Sequence, residues 1–175
     1  PVRERVTALA VDPDDSDTLY MAVRKEQVTS LLLSSNRGRS WQKLGETSDG
    51  AMKLYVDLRS PLQDRTLYVI GARSVRRREN ERWSQGESPE PGRDLVEMSL
   101  GFDARGEPPT VYAISQAHLY VSEDGGNTWR DAPLPGDTPE LIAVATCLNY
   151  PESASLLSKV EDRGRNLFRR DEDRG

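Results

Sequence analysis

The chain has 175 residues, of which 35% are hydrophobic and 30% charged, with 11 prolines and 13 glycines. This length suffices for one hydrophobic core, and the many turn-forming residues suit short strands better than long helices. The net charge of −5 argues against a nucleic-acid partner, which would need a basic surface to attract phosphates.

One pattern occurs four times along the chain. Asp12, Asp57, Asp103 and Asn149 occupy its equivalent positions, at intervals of 45, 46 and 46 residues. Each copy has an apolar alternating run, a polar turn and a Thr-Leu-Tyr-like strand, and a tryptophan closes the first three copies. A regular interval of this size indicates a repeat architecture.

The first copy predicts four short strands over residues 6–11, 19–23, 30–33 and 41–44. In the second copy, residues 73–82 are too charged for a buried strand, so we expect an exposed strand pair or a long loop there. The third copy predicts strands over 95–102, 111–114, 119–122 and 128–130. The fourth predicts a strand over 141–148, a helical turn near 153–159 and a solvated charged tail.

A repeat of about 40 to 50 residues with four strands has the size of a propeller blade. The predicted fold class is all-β, a β-propeller or partial β-propeller of about four four-stranded blades. The blades fall near 4–45, 50–88, 93–134 and 138–170, the last degenerate. Together they form one repeat domain over 1–175 or a fragment of a larger propeller.

Two hairpins share a local motif. The stronger copy has Ser122, Asp124, Gly126, Thr128 and Trp129 in an S-x-D-x-G-x-T-W arrangement, and the weaker copy has Asn36, Gly38, Ser40 and Trp41. An aspartate or asparagine here can accept backbone N–H groups across a tight turn, and glycine permits positive φ. The tryptophan can bury its ring against the blade. We therefore predict a structural role for both hairpins.

This motif resembles the Asp-box, or BNR repeat, of a β-propeller group. The group includes sialidases, xyloglucanase-like glycoside hydrolases, sortilin-type receptor domains and Ycf48-like photosystem II assembly factors, and the chain looks most like the non-sialidase members. The resemblance implies that Asp124 is structural and lies at the periphery. Calcium binding by Asp124 and Asp131 is not expected, because calcium takes six or more oxygen ligands, and no metal or other cofactor is predicted.

Two interpretations are open for the repeated aspartates Asp12, Asp57 and Asp103. They could supply the paired carboxyl groups of a glycosidase, but their equivalence favours caps that bond the nearby turn backbone. Cys147 is the single cysteine, which excludes an intrachain disulfide, and we expect it to be a buried thiol. His118 is the single histidine and suits a partly exposed strand position. No catalytic residue is assigned.

The least repetitive feature is the arginine-rich run that contains Arg73, Arg76, Arg77 and Arg78. Such a run could bind an acidic partner surface, or it could be a solvated edge with local glutamate pairs. Ycf48-like proteins carry an arginine-rich surface patch, but this run does not align with it residue by residue. The segments 25–29, 72–78 and 116–118 are predicted to join second and third strands on one face.

These observations favour a non-enzymatic scaffold that binds a protein or another chain completing the propeller, with carbohydrate as a further candidate ligand. The alternative is a fragment or divergent member of an Asp-box glycoside hydrolase. No apolar stretch approaches the roughly 20 residues that cross a bilayer, so membrane insertion is not expected. We expect an extracellular or periplasmic location, with any export signal outside this chain and the cytoplasm left open.

Overall fold

The structure is a computed structural model that describes residues 4–102, 108–115 and 118–132 with their side chains, and residues 140–146, 153–160 and 164–171 as strands only. The chain divides into two compact units, Pro1–Gln85 and Gly86–Gly175. None of the helices formed by the described residues is long and apolar enough to cross a bilayer.

The first unit contains two antiparallel sheets of four strands, and in each sheet the strands lie side by side in chain order. The first sheet has β1 (Arg5–Asp12), β2 (Asp15–Lys25), β3 (Val28–Ser34) and β4 (Gln42–Thr47). The second has β5 (Lys53–Asp57), β6 (Thr66–Ile70), β7 (Val75–Glu79) and β8 (Arg82–Gln85), with one 3-10 turn, Leu62–Asp64, before β6. Short connections between neighbouring strands account for this up-and-down order.

The core of the first unit lies between these two sheets. Ala8, Ala22 and Leu31 of the first sheet cluster with Ala51 and Val69, and Leu44, Leu54 and Trp83 pack against the cluster. Because alternate residues of a strand point to opposite faces, β2 buries Tyr20 and Ala22 while its intervening residues are only partly covered. By contrast, β6 is buried at every residue.

The second unit contains a four-stranded antiparallel sheet of β9 (Glu97–Gly101), β10 (Thr110–Ile114), β11 (Leu119–Ser122) and β12 (Arg130–Ala132). Its buried apolar side chains include Met98, Val111, Ile114 and Leu119. The strands β13 (Glu140–Thr146), β14 (Ser153–Val160) and β15 (Gly164–Asp171) form a three-stranded antiparallel sheet. The predicted all-β class is therefore confirmed.

Several local predictions change. The helical turn expected near 153–159 is wrong, since these residues lie in β14. Of the two alternatives for the run 73–82, the strand pair is confirmed, because residues 75–79 form β7 and Arg82 begins β8. Its turn residues Asn80 and Glu81 have φ of 48° and 60°, the signature of a two-residue type I′ hairpin.

The predicted joining loops are also shorter than expected. Residues 75–78 of the supposed loop 72–78 belong to β7, where all three arginines are partly buried. Only Glu26 and Gln27 separate β2 from β3. Residues 116–117, Asp103, Cys147, Asn149 and the end of the charged tail lie outside the described residues, and the extent of the repeat domain stays a prediction.

Candidate functional site

An open cleft of about 450 Å³ lies between the two sheets of the first unit. One wall is the row Tyr20, Leu33 and Gln42, which are neighbours across β2, β3 and β4. The other wall combines the 3-10 turn Leu62–Asp64 with the end of the β7–β8 hairpin. The complete lining is Thr18, Tyr20, Leu33, Ser35, Gln42, Leu44, Leu62, Gln63, Asp64, Arg65, Arg78 and Glu81.

A buried ion pair forms the base of this cleft. The Arg65 guanidinium donates Nε to Asp12 Oδ2 at 2.8 Å and Nη2 to Asp12 Oδ1 at 3.1 Å, and the two side chains are 3% and 0% exposed. Arg65 also donates to Asp14 and to the carbonyl oxygens of Leu58 and Ser60. One side chain therefore joins the turn after β1 to the turn after β5.

The pKa values at the base follow from this arrangement. Burial acts to raise the pKa of Asp12, but the hydrogen bonds and charge of Arg65, with the Asp14 amide, outweigh it and hold the pKa below its usual range. The bond to Asp12 raises the pKa of Arg65 despite burial. Burial, then the nearby Asp12 charge, raises the pKa of Tyr20 to about 12. At neutral pH the base thus holds a fixed charge pair and a neutral phenol.

Both described members of the aspartate repeat cap turns. Asp12 Oδ1 accepts the Asp14 amide at 3.0 Å, and Asp57 Oδ1 accepts the Arg59 amide at 3.0 Å. They differ in their cationic partner, because Asp57 pairs with Arg59 of its own turn, through Nη2 to Oδ2 at 2.8 Å. Their hydrogen bonds are those of turn caps, which is the interpretation that the repeat favoured.

The mouth of the cleft carries polar groups that are open to solvent. Gln42, Gln63 and Glu81 are exposed, and Arg78 Nη1 lies 3.4 Å from Asp64 Oδ1. Glu81 has φ of 60°, a left-handed conformation that favours glycine or asparagine over glutamate. The cleft therefore offers donors and acceptors of both signs beside an apolar wall, which suits a polar chain with apolar side groups.

The four predicted arginines do not form one surface. Arg73 is an exposed residue in the turn before β7. Arg76 and Arg78 point from β7 toward the first sheet, where Arg76 Nη1 donates to the Glu46 carbonyl at 2.6 Å. Arg77 lies on the opposite face of β7, with its guanidinium 5.8 Å from the Tyr68 ring centre. Of the four, Arg78 alone lines the cleft.

Trp83 fills the outer part of the contact between the two sheets. Its Nε1 donates to the Leu44 carbonyl at 3.1 Å, and the Arg76 guanidinium lies 5.1 Å from its ring centre. A Cβ on Gly45 would come within 2.7 Å of Trp83 Nε1. The glycine is therefore required for this close approach of the ring.

Sequence reasoning missed Arg65, although a signal was present. Arg65 directly precedes the Thr-Leu-Tyr strand of the second copy, where the other copies have Asp17 and Pro109. A charged residue that breaks a repeat at a strand entry indicates a role that its neighbours do not share. The cleft itself left no comparable signal, since its lining comes from five separate segments.

In the stronger motif hairpin, both carboxylate oxygens of Asp124 accept hydrogen bonds from residues of the same turn. Asp124 Oδ1 accepts the amides of Asn127 and Thr128 at 3.0 and 2.9 Å, and its Oδ2 accepts the Thr128 hydroxyl at 2.6 Å. The Ser122 hydroxyl donates to Asp124 and accepts the Gly126 amide. Burial acts to raise the pKa of Asp124, but these hydrogen bonds lower it below its usual range.

The weaker hairpin repeats this network with asparagine. Asn36 Oδ1 accepts the Ser40 amide at 2.9 Å, and the Ser34 hydroxyl accepts the Gly38 amide at 2.8 Å. Arg37 takes φ of 59° at the position where the stronger hairpin has Gly125, with φ of 75°. The turn geometry therefore survives the loss of one glycine.

The tryptophans that close these hairpins, Trp41 and Trp129, are half-buried rather than buried. Trp129 Nε1 donates to the Glu87 carbonyl at 2.9 Å. Near this hairpin, exposed His118 has its Nδ1 3.4 Å from Asp131 Oδ1. Within the described ranges, no three His, Cys, Asp or Glu side chains group as metal ligands.

The comparisons with known proteins establish similarity in fold alone. Neither protein-family models nor curated proteins give a match. Among solved structures, the chain is similar to "YCF48 bound to D1 peptide" with 12% identity and a TM-score of 0.60, over 89% of this chain and 46% of that one. The chain is also similar to YCF48 from Cyanidioschyzon merolae, with 13% identity and a TM-score of 0.59, over 99% of this chain and 59% of that one. A third similar structure is the Cps50 (Swd1) β-propeller domain of Myceliophteria thermophila. It has 18% identity and a TM-score of 0.58, over 94% of this chain and 54% of that one.

The chain has a β-propeller fold. It spans about half the length of these similar structures, and at such low identity the likeness extends to the fold alone. Each four-stranded sheet corresponds to a propeller blade. The candidate cleft thus lies between the first two blades, on the side where β1–β2 and β3–β4 are joined.

Proposed function

We propose that this chain is a non-enzymatic propeller module whose inter-blade cleft in the first unit binds a short extended segment of a protein partner. The observation that carries the proposal is the cleft itself, which is open, about 450 Å³ in volume and lined by both polar and apolar side chains. Tyr20, Leu33 and Leu44 offer apolar contact, while Gln42 and Gln63 can bond a peptide backbone. Clefts with this mixture are typical ligand sites.

The buried ion pair between the cleft residue Arg65 and Asp12 fits binding better than hydrolysis. A glycosidase needs one carboxyl group whose pKa is raised so that it can act as an acid. In this chain, Asp12 and Asp124 have lowered pKa values because their hydrogen bonds outweigh their burial. The pKa of Glu46 is also lowered, because Lys43 donates a hydrogen bond to it and carries the opposite charge. Asp12 is paired with the cleft residue Arg65.

A protein ligand is also consistent with the structural likeness. One of the similar propellers, YCF48, is bound to D1 peptide in its solved structure, and this binding is a property of that protein. The net charge of −5 disfavours nucleic acid as the ligand. We further propose that the chain is an Asp-box propeller, supported by the matching hydrogen-bond networks around Asp124 and Asn36.

The test uses peptides selected from a random displayed library against the full folded chain. Gln42→Trp would place a large ring in the mouth of the cleft, and Lys43→Trp would place the same ring on the opposite face of β4 as the matched control. We expect peptide affinity to fall about tenfold or more, equal to about 1.4 kcal/mol, in the Gln42 variant and to stay within about twofold in the control.

Two results would contradict the proposal. Equal affinity in both tryptophan variants would place peptide binding elsewhere on the chain. Release of reducing sugar from oligosaccharides by the wild-type chain, lost in a variant of a cleft carboxylate such as Asp64→Asn, would favour the hydrolase instead.

A further inference from the structure

Glu81 places a carboxylate at the mouth of the cleft in the first unit. It is exposed, lies in the turn between β7 and β8, and lines the cleft. Within the part of the chain that the structure describes, its side chain has no hydrogen bond or ion pair. This carboxylate is therefore available to a ligand that occupies the cleft.

The backbone of this turn would be more stable with glycine. Asn80 and Glu81 have φ of 48° and 60°, and a type I′ turn favours Asn-Gly at these two positions. A side chain with a Cβ strains the left-handed conformation. The strain by itself assigns no role, because Glu26 has φ of 55° and lies outside the cleft lining. The distinguishing feature of Glu81 is its place in the wall of the cleft.

The buried cation of the cleft has no donor left for a ligand. A guanidinium group has five N–H groups, and Arg65 makes five hydrogen bonds, one from Nε and two from each Nη. The acceptors are Asp12, Asp14 and the carbonyl groups of Leu58 and Ser60. A ligand carboxylate could therefore bond Arg65 only by breaking a hydrogen bond within the fold.

Negative charge exceeds positive charge at this cleft. Arg65 is paired with two carboxylates. Arg78 is 14% exposed and lies beside Asp64, which balances its charge. Glu81 adds a further negative charge without a described cation beside it. An acidic ligand group would meet net repulsion here, whereas a lysine or arginine side chain would be attracted.

We propose that the segment bound in this cleft carries a lysine or arginine side chain, and that Glu81 pairs with it. This inference rests on the proposed function, because it requires an extended peptide in the cleft. Apolar contact with Leu33 and Leu44 is open to many sequences, but a carboxylate at the mouth discriminates basic from acidic segments. Glu81 thereby determines the charge class of the partner.

A double-mutant cycle tests the pair. The probes are peptides selected from a random displayed library against the full chain, each also made with its lysines and arginines replaced singly by glutamine. Affinity is measured in about 0.15 M salt, where exposed charges more than about 8 Å apart are largely screened. Glu81→Gln should weaken the parent peptide about fivefold or more, but should change binding of one glutamine-substituted peptide by less than about twofold.

Glu81→Gly gives a second readout, which a merely structural residue would not give. It should raise the urea midpoint by relieving the left-handed backbone, and it should weaken the parent peptide as Glu81→Gln does. Glu26→Gly is the matched control, because it removes the same charge from a left-handed residue in the turn between β2 and β3. That turn lies at the end of these strands away from the cleft, so peptide affinity should stay within about twofold.

The results separate this inference from the proposed function. Peptides that lose affinity in Gln42→Trp but show no coupling between Glu81 and a basic residue would overturn the charge assignment and leave the cleft as the binding site. Selected peptides that lack basic residues, or acidic peptides weakened by Arg78→Gln, would overturn it in the same way. Peptides insensitive to Gln42→Trp would refute the cleft itself, and the pairing with it.

Discussion

Arg65→Met tests the buried ion pair at the base of the cleft most directly. The substitution keeps an unbranched side chain of moderate length but removes both donors to Asp12, whose side chain is 0% exposed. Breaking a buried pair by removing one partner typically costs about 3–5 kcal/mol, because the remaining charge is left uncompensated. The carbonyl groups of Leu58 and Ser60 also lose their donor, so we expect the upper part of this range.

Urea unfolding followed by tryptophan fluorescence and circular dichroism measures this loss. Domains are commonly stable by only about 5–15 kcal/mol, so the midpoint should fall strongly. Arg37→Met is the control, because the Arg37–Asp17 pair is 70% and 47% exposed at its two side chains and exposed pairs contribute about 0–1 kcal/mol.

The pH dependence provides a second readout. The pKa of Asp12 in the folded chain is below its unfolded value, so the pairing stabilises the fold fully above the ordinary aspartate range and loses this effect as pH falls through the folded pKa. Without Arg65, burial should raise the pKa of Asp12, so the deficit of Arg65→Met should begin to shrink above the ordinary aspartate pKa of about 4 and continue to shrink below it.

A matched double variant completes the test. Asp12→Asn in the Arg65→Met background removes the stranded charge and should recover part of the lost stability at neutral pH. An Arg65→Met variant as stable as Arg37→Met, with no change in pH dependence, would refute the assignment of a buried ion pair.

Four further outcomes follow from the same structure. Gly45→Ala should destabilise by about 1–3 kcal/mol through overpacking against Trp83, measured as a lower urea midpoint, and an unchanged midpoint would show that the ring can move aside. Asp124→Ala should cost about 1–3 kcal/mol through unsatisfied hairpin donors, with Asp124→Asn intermediate in thermal unfolding, as Asn36 in the first hairpin suggests. Arg37→Gly should raise stability by up to about 1 kcal/mol by relieving its left-handed backbone, and a lower melting temperature would contradict this. Ultraviolet titration should show Tyr20 and Tyr68 ionising near their pKa of about 12. Each signal is assigned by its loss in the variant Tyr20→Phe or Tyr68→Phe. Because those pKa values are raised, stability should fall as pH rises above about 10.

Much of the fold could be predicted from the amino-acid sequence. The repeat interval and the period-two alternation predicted strands that the structure places at nearly the same positions, such as β10 and β11. The alternation is a local signal, because a strand is predicted from the pattern of residues along its own length. The helical turn near 153–159 failed for the same reason, since a short apolar run carries no decisive period.

The arginine run shows where local reasoning ends. Four arginines close in sequence suggested one surface, yet a strand sends Arg76 and Arg77 to opposite faces. Their partners, Trp83 beside Arg76 and Tyr68 beside Arg77, lie on neighbouring strands. Charge density along a chain therefore predicted a basic region but could not predict which groups the charges would meet.

The sequence by itself determined the strand pattern, the all-β class and the two hairpin motifs, because each depends on residues within a few positions of one another. It also determined the repeat, because similar segments recur at intervals of 45 and 46 residues. Tertiary structure alone decided the cleft and the Arg65–Asp12 pair across 53 positions. Those features depend on which sheet lies against which, and side-chain alternation is the same in a covered and an uncovered blade.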